Sequence, residues 1–154
     1  MAEILVLVGS HRGGATRVGA AIAAHLGAAG LPARAVAMDA ADATQIAAAP
    51  ALVICTATFG AGGVPPRAVA LLAAIASGEV PVAGKPAGIV GLGDSSFRDT
   101  YNGGCRRFAE ALDQAGAEII APLLLFDAAH PGARPDLAGW TDAFRSALLA
   151  RAPA

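Results

Sequence analysis

The chain has 154 residues, of which 55% are hydrophobic, and a formal net charge of −1. This length predicts one domain over residues 1–154 with a substantial core. The nearly balanced charge does not indicate a nucleic-acid-binding surface. The sequence contains no run of about 18 strongly apolar residues, so it predicts no membrane span.

The cysteines and histidines point to no metal or disulfide chemistry. Cys55 and Cys105 form no CxxC pattern, and His11, His25 and His130 have no spacing suited to a metal. The N-terminus lacks the basic flank and cleavage site of a secretory signal. We therefore expect two reduced thiols in a cytoplasmic protein.

The first half of the chain alternates apolar runs with helical patterns. Glu3–Val8 predicts a first strand, and 13–30 predicts a helix with apolar residues spaced by four. Leu31–Met38 predicts a second, weaker strand at an edge of the sheet. A short helix or turn over Ala40–Ala49 then precedes a third strand at Ala51–Thr56.

The same alternation continues to the end of the chain. Pro66–Gly78 predicts a helix, with Pro near its first turn and Gly past its end. Pro86–Leu92 predicts the fourth strand, and a helix from Gly104 stops near Gly116. Glu118–Phe126 predicts a fifth strand, whose internal proline favours an edge. The closing helix is predicted over Pro135–Arg151.

Four of the five strands are continuous apolar runs, which is typical of a parallel sheet covered on both faces. The predicted fold is therefore a doubly wound α/β domain with a five-stranded parallel sheet in the order 2-1-3-4-5. Glycine-rich segments follow strands 1, 3 and 4, which are neighbours in this order. We call them loop 1 (9–16, GSHRGGAT), loop 2 (56–66, TATFGAGGVPP) and loop 3 (91–104, GLGDSSFRDTYNGG). Glycines allow these loops unusual backbone conformations and close approach to a ligand, so three such loops at one sheet edge predict a shared ligand site.

Loop 1 has the features of an anion site at the start of a helix. It nearly matches the nucleotide P-loop between Gly9 and Gly14, but Ala15 stands where the lysine would be. A GxGxxG fingerprint is also absent. The expected ligand group is therefore a monophosphate, held by backbone N–H groups, the Ser10 hydroxyl and the Arg12 guanidinium.

Loops 2 and 3 add aromatic rings to a chain that is only 5% aromatic. Phe59 and Phe97 can cover a planar heterocycle without requiring a hydrogen-bond partner. Thr56, Thr58 and the N–H groups of 60–63 can meet its polar edges. A monophosphate at one end and a sandwiched ring at the other predict flavin mononucleotide (FMN) as the ligand.

These segments resemble the flavodoxin-like family, close to the MioC-type short flavodoxins and the FMN domain of sulfite reductase flavoproteins. Loop 2 is similar to the family's S-T-[YF]-G-x-G-x-x-P loop, and GLGDSSF in loop 3 resembles its G-L-G-[DN]-x-x-[YF] loop. The segments VGSHRGGA and DLAGWTDAFRSALL resemble its phosphate loop and closing helix. The resemblance implies an FMN-binding electron carrier between an NAD(P)H-dependent flavoprotein reductase and an acceptor enzyme, with no catalytic side chain.

Carried over by position, the resemblance implies two groups of cofactor-binding residues. Those at the phosphate are Ser10, His11, Arg12, Gly13, Gly14 and Ala15. Those at the isoalloxazine ring are Thr56, Ala57, Thr58, Phe59, Gly60, Ala61, Gly62, Gly91, Leu92, Gly93, Asp94 and Phe97, with Tyr101 as a second candidate aromatic beside Asn102.

Several positions depart from the family pattern. Loop 1 has Arg12 and Gly14 where hydroxyls are usual, and loop 2 has Ala61 and Gly63 where acids are common. Fewer negative charges near the ring penalise a negatively charged reduced flavin less. We therefore expect a less negative second reduction potential than in acidic flavodoxins. A less acidic surface, and hence a different set of partners, is expected from Arg67, Arg98, Arg106 and Arg107.

Three alternatives remain open from the sequence. GSHR in loop 1 resembles the GSxR signature of NAD(P)H-dependent FMN reductases, although loop 2 lacks their P-E-Y-N run. GDSS at 93–96, with DAAH at 127–130, resembles a serine hydrolase triad placed after the wrong strand. The altered loop 1 also fits a cofactor-free interaction module that kept the fold.

Overall fold

The computed structural model describes residues 2–151, which form a parallel sheet with helices on both faces. The strand order is β2-β1-β3-β4-β5, and β6 also pairs with β4. The predicted order and fold class are therefore confirmed. The strands are β1 Ile4–Gly9, β2 Ala33–Ala37, β3 Leu52–Ala57, β4 Pro86–Gly93, β5 Glu118–Ile119 and β6 Leu124–Asp127.

The helices lie close to their predicted positions. The helix expected from Pro66 begins as a 3-10 turn over Pro66–Ala68, with the proline in the first turn, where a missing N–H costs no hydrogen bond. No helix within residues 2–151 is both long and apolar enough to cross a membrane. The helices are α1 Gly14–Ala28, α2 Ala43–Ala48, α3 Val69–Ser77, α4 Gly103–Gln114 and α5 Leu137–Ala150.

Each face of the sheet buries its own apolar cluster. Alternate residues of the central strands point to opposite faces, so Leu7 joins Ile75 and Phe108 of α3 and α4. Val6, on the other face, joins Ile22 and Phe144 of α1 and α5. Burial on both sides explains why the central strands are continuous apolar runs.

The predicted fifth strand is divided into two. β5 pairs with Pro86–Ala87, while β6 pairs with Val90–Gly93 further along the same neighbour. Pro122 lies between them and cannot donate to the ladder, and its carbonyl accepts a hydrogen bond of 2.7 Å from the Trp140 indole. Because the strand is divided, β6 pairs with the carboxyl-terminal end of β4, and its last residue, Asp127, contacts loop 3.

Helix α4 starts unusually close to loop 2 because it begins with two glycines. A Cβ on Gly104 would lie 2.5 Å from the Ala57 carbonyl oxygen and 3.1 Å from that of Gly63. Real Cβ atoms do not approach backbone oxygens so closely, so a side chain here would push α4 away from loop 2. Gly103 makes a similar approach to Gly62, so the two glycines together allow α4 to pack closely against loop 2.

We predict that Gly104→Ala lowers the free energy of unfolding by about 1–3 kcal/mol, since an added methyl overpacks a filled space. Denaturant unfolding followed by circular dichroism measures this change. Gly27→Ala is the matched control, because a Cβ there meets nothing within 4 Å. The control should be neutral or stabilised by about 0.5–1 kcal/mol; equal losses in both variants would contradict the prediction.

Candidate functional site

Loops 1, 2 and 3 leave the sheet side by side at the same level. Gly9 of β1 is in register with Thr56 of β3, and Thr56 is in register with Gly91 of β4. Parallel strands that end together place their following loops at one edge, where α/β proteins bind ligands. The predicted convergence of the three loops is therefore confirmed.

Loop 1 presents an uncapped helix N-terminus. Arg12 and Gly13 both have left-handed backbone, with φ of 70° and 86°, and α1 begins at the next residue. Gly13 supplies no side-chain cap, so the first N–H groups of α1 remain available to an outside acceptor. The Ser10 Oγ is buried and has no hydrogen-bond partner among the described residues. A cavity of about 490 Å³ lies beside this loop and is lined by Ser10, Arg12, Gly13, Thr16, Asp39 and Arg67 among others.

Loop 2 is closed on itself and tied to α4. Phe59 and Gly63 exchange backbone hydrogen bonds of 2.9 and 3.0 Å. The Gly104 N–H donates to the Thr58 hydroxyl at 3.3 Å, and Arg107 Nε donates to the Gly62 carbonyl at 2.9 Å. The Phe59 side chain is left 41% exposed. It contacts loop 1 through the His11 ring, edge to face with centroids 4.9 Å apart.

Loop 3 is held by the carboxylate that ends β6. Asp127 Oδ1 accepts hydrogen bonds from the Ser95 N–H at 2.9 Å and the Ala129 N–H at 3.0 Å. Hydrogen bonds from the Ser95 hydroxyl and N–H hold the pKa of the Asp127 carboxyl below its usual value. The Ala128 N–H donates to the Gly93 carbonyl at 2.8 Å. Phe97, at the tip, is 64% exposed.

The three loops enclose one cavity of about 520 Å³, which we call the ring cavity. Its walls mix backbone, small side chains and two aromatic rings, and its open side faces solvent. Such a slot suits a flat heterocycle with polar edges. The lining residues are His11, Ala57, Thr58, Gly60, Leu92, Gly93, Asp94, Phe97, Thr100 and Ala128.

Comparison with known proteins gives the family. The flavodoxin family profile matches residues 6–140. An uncharacterised protein of Pseudomonas aeruginosa is 32% identical over 147 residues, which cover 95% of this chain and 98% of that one. The chain belongs to the flavodoxin family. Flavodoxins bind FMN and transfer electrons, and these statements hold for this chain as a member.

Solved flavodoxins have the same fold as this chain. A cysteine-to-alanine variant of a flavodoxin from Pseudomonas aeruginosa is 32% identical, with a TM-score of 0.80 and coverage of 93% of this chain and 99% of that one. A flavodoxin from Streptococcus pneumoniae TIGR4 is 23% identical, with a TM-score of 0.82 and coverage of 97% and 99%.

Most of the residues that the flavodoxin resemblance implies lie at the ring cavity or in loop 1, but some lie beneath them. Thr56 is fully buried, and its hydroxyl donates to the Ala57 carbonyl at 3.0 Å. Gly91 is buried against Cys105 and Asn102. Asn102 is also fully buried, with its amide directed to the Phe126 carbonyl at 3.4 Å. These residues support the loops of this flavodoxin-family chain from below and do not line the ring cavity.

Tyr101 does not line the ring cavity. It lies in the turn before α4, where its carbonyl accepts a hydrogen bond of 3.3 Å from Arg106 Nε. Two lining residues were missed by the sequence reasoning, Thr100 and Ala128. Thr100 lies in loop 3, just after the GLGDSSF motif, so the motif locates the loop but does not include this residue. Ala128 reaches the cavity only because β6 pairs with β4, which no local pattern indicates.

The serine hydrolase geometry is not formed. A triad needs the histidine between the serine and the acid. Ser95 instead bonds directly to Asp127, and no hydrogen bond among residues 2–151 joins the His130 ring to a serine. The carboxylate here orders a flavodoxin loop and activates no nucleophile.

The two thiols are buried and unreactive. Burial raises the pKa of Cys55 to about 12 and that of Cys105 to about 11. At neutral pH both are protonated, and thiolate chemistry is not available to them.

We predict that Asp127→Ala loosens loop 3, because two N–H groups lose their acceptor. Amide hydrogen exchange at Ser95 and Ala129 should accelerate by about tenfold or more. Asp113→Ala, which removes an exposed carboxylate of α4, is the matched control.

The same contact sets a pH dependence. A carboxyl whose pKa is lowered by folding stabilises the folded loop above its ordinary pKa of about 4. That stabilisation is lost as the pH falls through the lower pKa of the folded chain. The amide chemical shifts of Ser95 and Ala129 should follow this transition in the wild type and not in Asp127→Ala; pH-invariant shifts in the wild type would contradict it.

Proposed function

We propose that this chain holds FMN with its phosphate at loop 1 and its ring in the ring cavity, and that it shuttles electrons between two enzymes. The donor is an NAD(P)H-dependent flavoprotein reductase, and the recipient is an acceptor enzyme. The observation that carries the proposal is the buried, unpartnered Ser10 hydroxyl beside an uncapped helix N-terminus.

The phosphate end fits the residues present. A buried hydroxyl without a partner costs free energy unless a ligand supplies an acceptor. The free N–H groups of the first turn of α1 and its dipole favour the same anion. Arg12 is exposed and adds positive charge where related loops have a hydroxyl. Loop 1 is thus altered in composition but still offers a hydroxyl, backbone N–H groups and a guanidinium to a phosphate.

The ring end also fits. Phe97 borders the ring cavity, and Phe59 rests on His11 at its loop 1 side. Both aromatic side chains are substantially exposed, so their faces are accessible to a planar ligand. Thr58 and Asp94 provide polar groups at the cavity wall. These residues would bind and orient the ring and keep water from its faces.

Electron transfer then needs little from the side chains. FMN, when bound, supplies the redox chemistry, and the chain sets its position and its electrostatic surroundings. No residue needs to act as an acid, a base or a nucleophile. The open side of the ring cavity allows a brief contact with each partner, as weak redox complexes require.

The proposed compartment is the cytoplasm. Both cysteines are free and buried, on a scaffold that uses no disulfide among its described residues. Such thiol usage is typical of a reducing compartment.

We predict that Ser10→Ala weakens FMN binding by about tenfold, the loss expected for one hydrogen bond to a charged group. Titration of the apoprotein with FMN, followed by flavin fluorescence quenching, gives the Kd. Ser77→Ala is the control, since its hydroxyl bonds to the Ala74 carbonyl at the far end of α3. Equal FMN Kd values for wild type and Ser10→Ala would remove the main support for the phosphate position.

We also predict that the second reduction potential is less negative than that of an acidic flavodoxin, because Asp94 is the single carboxylate among the residues lining the ring cavity. Ala61→Asp restores an acid in loop 2 and should lower this potential by roughly tens of millivolts. Spectroelectrochemical titration measures it, with Ala61→Asn as the uncharged control. An unchanged potential in Ala61→Asp would refute the electrostatic explanation.

An assay with pyridine nucleotide separates this proposal from an FMN reductase. The FMN-loaded chain is mixed anaerobically with NADPH or NADH and its absorbance is followed. A carrier stays oxidised until a reductase is added, whereas direct bleaching by the nucleotide would favour the reductase.

A further inference from the structure

A groove with two arginines adjoins the ring cavity. Two cavities of about 460 and 510 Å³ lie between α1, β6 and the segment that leads into α5. The first of them shares Leu92, Gly93 and Ala128 with the ring cavity, so the two cavities are adjacent. We call the pair the basic groove; its shared lining residues are Arg17, Leu92, Phe126, Arg134 and Pro135.

The charges of the basic groove are unbalanced. Arg17 and Arg134 are both exposed, and neither makes an ion pair among residues 2–151. His130 lines the same groove. The single carboxylate among the lining residues, Asp127, already accepts two backbone N–H groups. Two unpaired guanidinium groups beside an apolar floor favour an anionic occupant.

The arginines expected from the sequence to alter the partner surface are mostly engaged elsewhere. Arg107 donates to the Gly62 carbonyl, Arg106 donates to the Tyr101 carbonyl, and Arg67 pairs with Asp39 at 3.8 Å. Arg98 is exposed but lines neither the ring cavity nor the basic groove, whereas Arg17 and Arg134 are exposed and together line the groove beside the ring cavity.

We propose that the basic groove is the docking surface for an acidic segment of a redox partner. This inference rests on the proposed function, since the groove matters because it borders the cavity assigned to the FMN ring. Carboxylates seated on Arg17 and Arg134 would bring the partner against the open side of the ring cavity. Charge complementarity of this kind raises the association rate and leaves the complex short-lived, as a carrier requires.

The first test uses an acidic probe and needs no flavin. A fluorescein-labelled poly-glutamate peptide is titrated with the whole chain at low ionic strength, and binding is read from fluorescence anisotropy. Arg134→Glu should weaken binding by about threefold or more, and added salt should do the same. Arg34→Glu is the matched control, because it makes the same charge reversal at the opposite end of the sheet, where Arg34 pairs with Glu3.

The second test measures the rate of electron transfer from the FMN-loaded chain. The reduced protein is oxidised by ferricyanide, an anion, or by hexaammineruthenium(III), a cation, in stopped flow. The ferricyanide rate should fall by about threefold or more in Arg134→Glu at low salt and stay unchanged in Arg34→Glu, with the opposite trend for the cation.

Three results would overturn the inference. The first is no peptide binding at low salt, and the second is an equal loss of binding in Arg134→Glu and Arg34→Glu. The third is direct bleaching of the flavin by NADPH that Arg134→Glu abolishes, since the groove would then be a nucleotide site. If peptide binding depends on Arg134 but the chain takes up no FMN, the basic groove is supported as a site for acidic peptides and the proposed function is refuted.

Discussion

The ends of three parallel strands lie in register, and the candidate site depends on this alignment. Gly9, Thr56 and Gly91 stand side by side across β1, β3 and β4, so the three loops begin at one height above the sheet. A shift of one residue in either pair would turn every side chain of the shifted strand to the opposite face. Burial of apolar residues on both faces makes such a shift costly and fixes the height of the loops.

The loops are positioned mainly by polar contacts with neighbouring elements. Asp127 holds loop 3 from β6, and Arg107 holds loop 2 from α4. The His11 ring joins loop 1 to Phe59. A site whose walls are already ordered loses less conformational entropy when its ligand binds.

The sequence predicts the fold well because the central strands have an unambiguous pattern. Runs such as Leu52–Cys55 are apolar at every position, and glycine-rich loops mark where the strands end. The fifth strand was predicted as one piece because its apolar pattern continues through Pro122. Its division depends on a missing N–H and on a hydrogen bond from Trp140, a residue 18 positions away.

The sequence predicts the site only in part. Motifs place loops 1 to 3 correctly, but the direction of each side chain depends on pleat and backbone conformation. Thr56 points into the core, and Asn102 is buried in left-handed backbone with φ of 52°. Ala128 comes from a segment distant in sequence and reaches the ring cavity only through the pairing of β6 with β4. Arg134, from the same segment, lines the neighbouring basic groove. Contacts of this kind have no local signature.

The assignment of one FMN slot is tested most directly by a residue-resolved titration. The ¹⁵N-labelled apoprotein is titrated with FMN, and the backbone amide signals are followed by two-dimensional NMR. We predict that signals from 13–16, 58–62 and 93–97 shift together and give a single Kd, with inorganic phosphate shifting the first group alone. Shifts confined to one loop, or none at saturating FMN, would contradict a site shared by three loops.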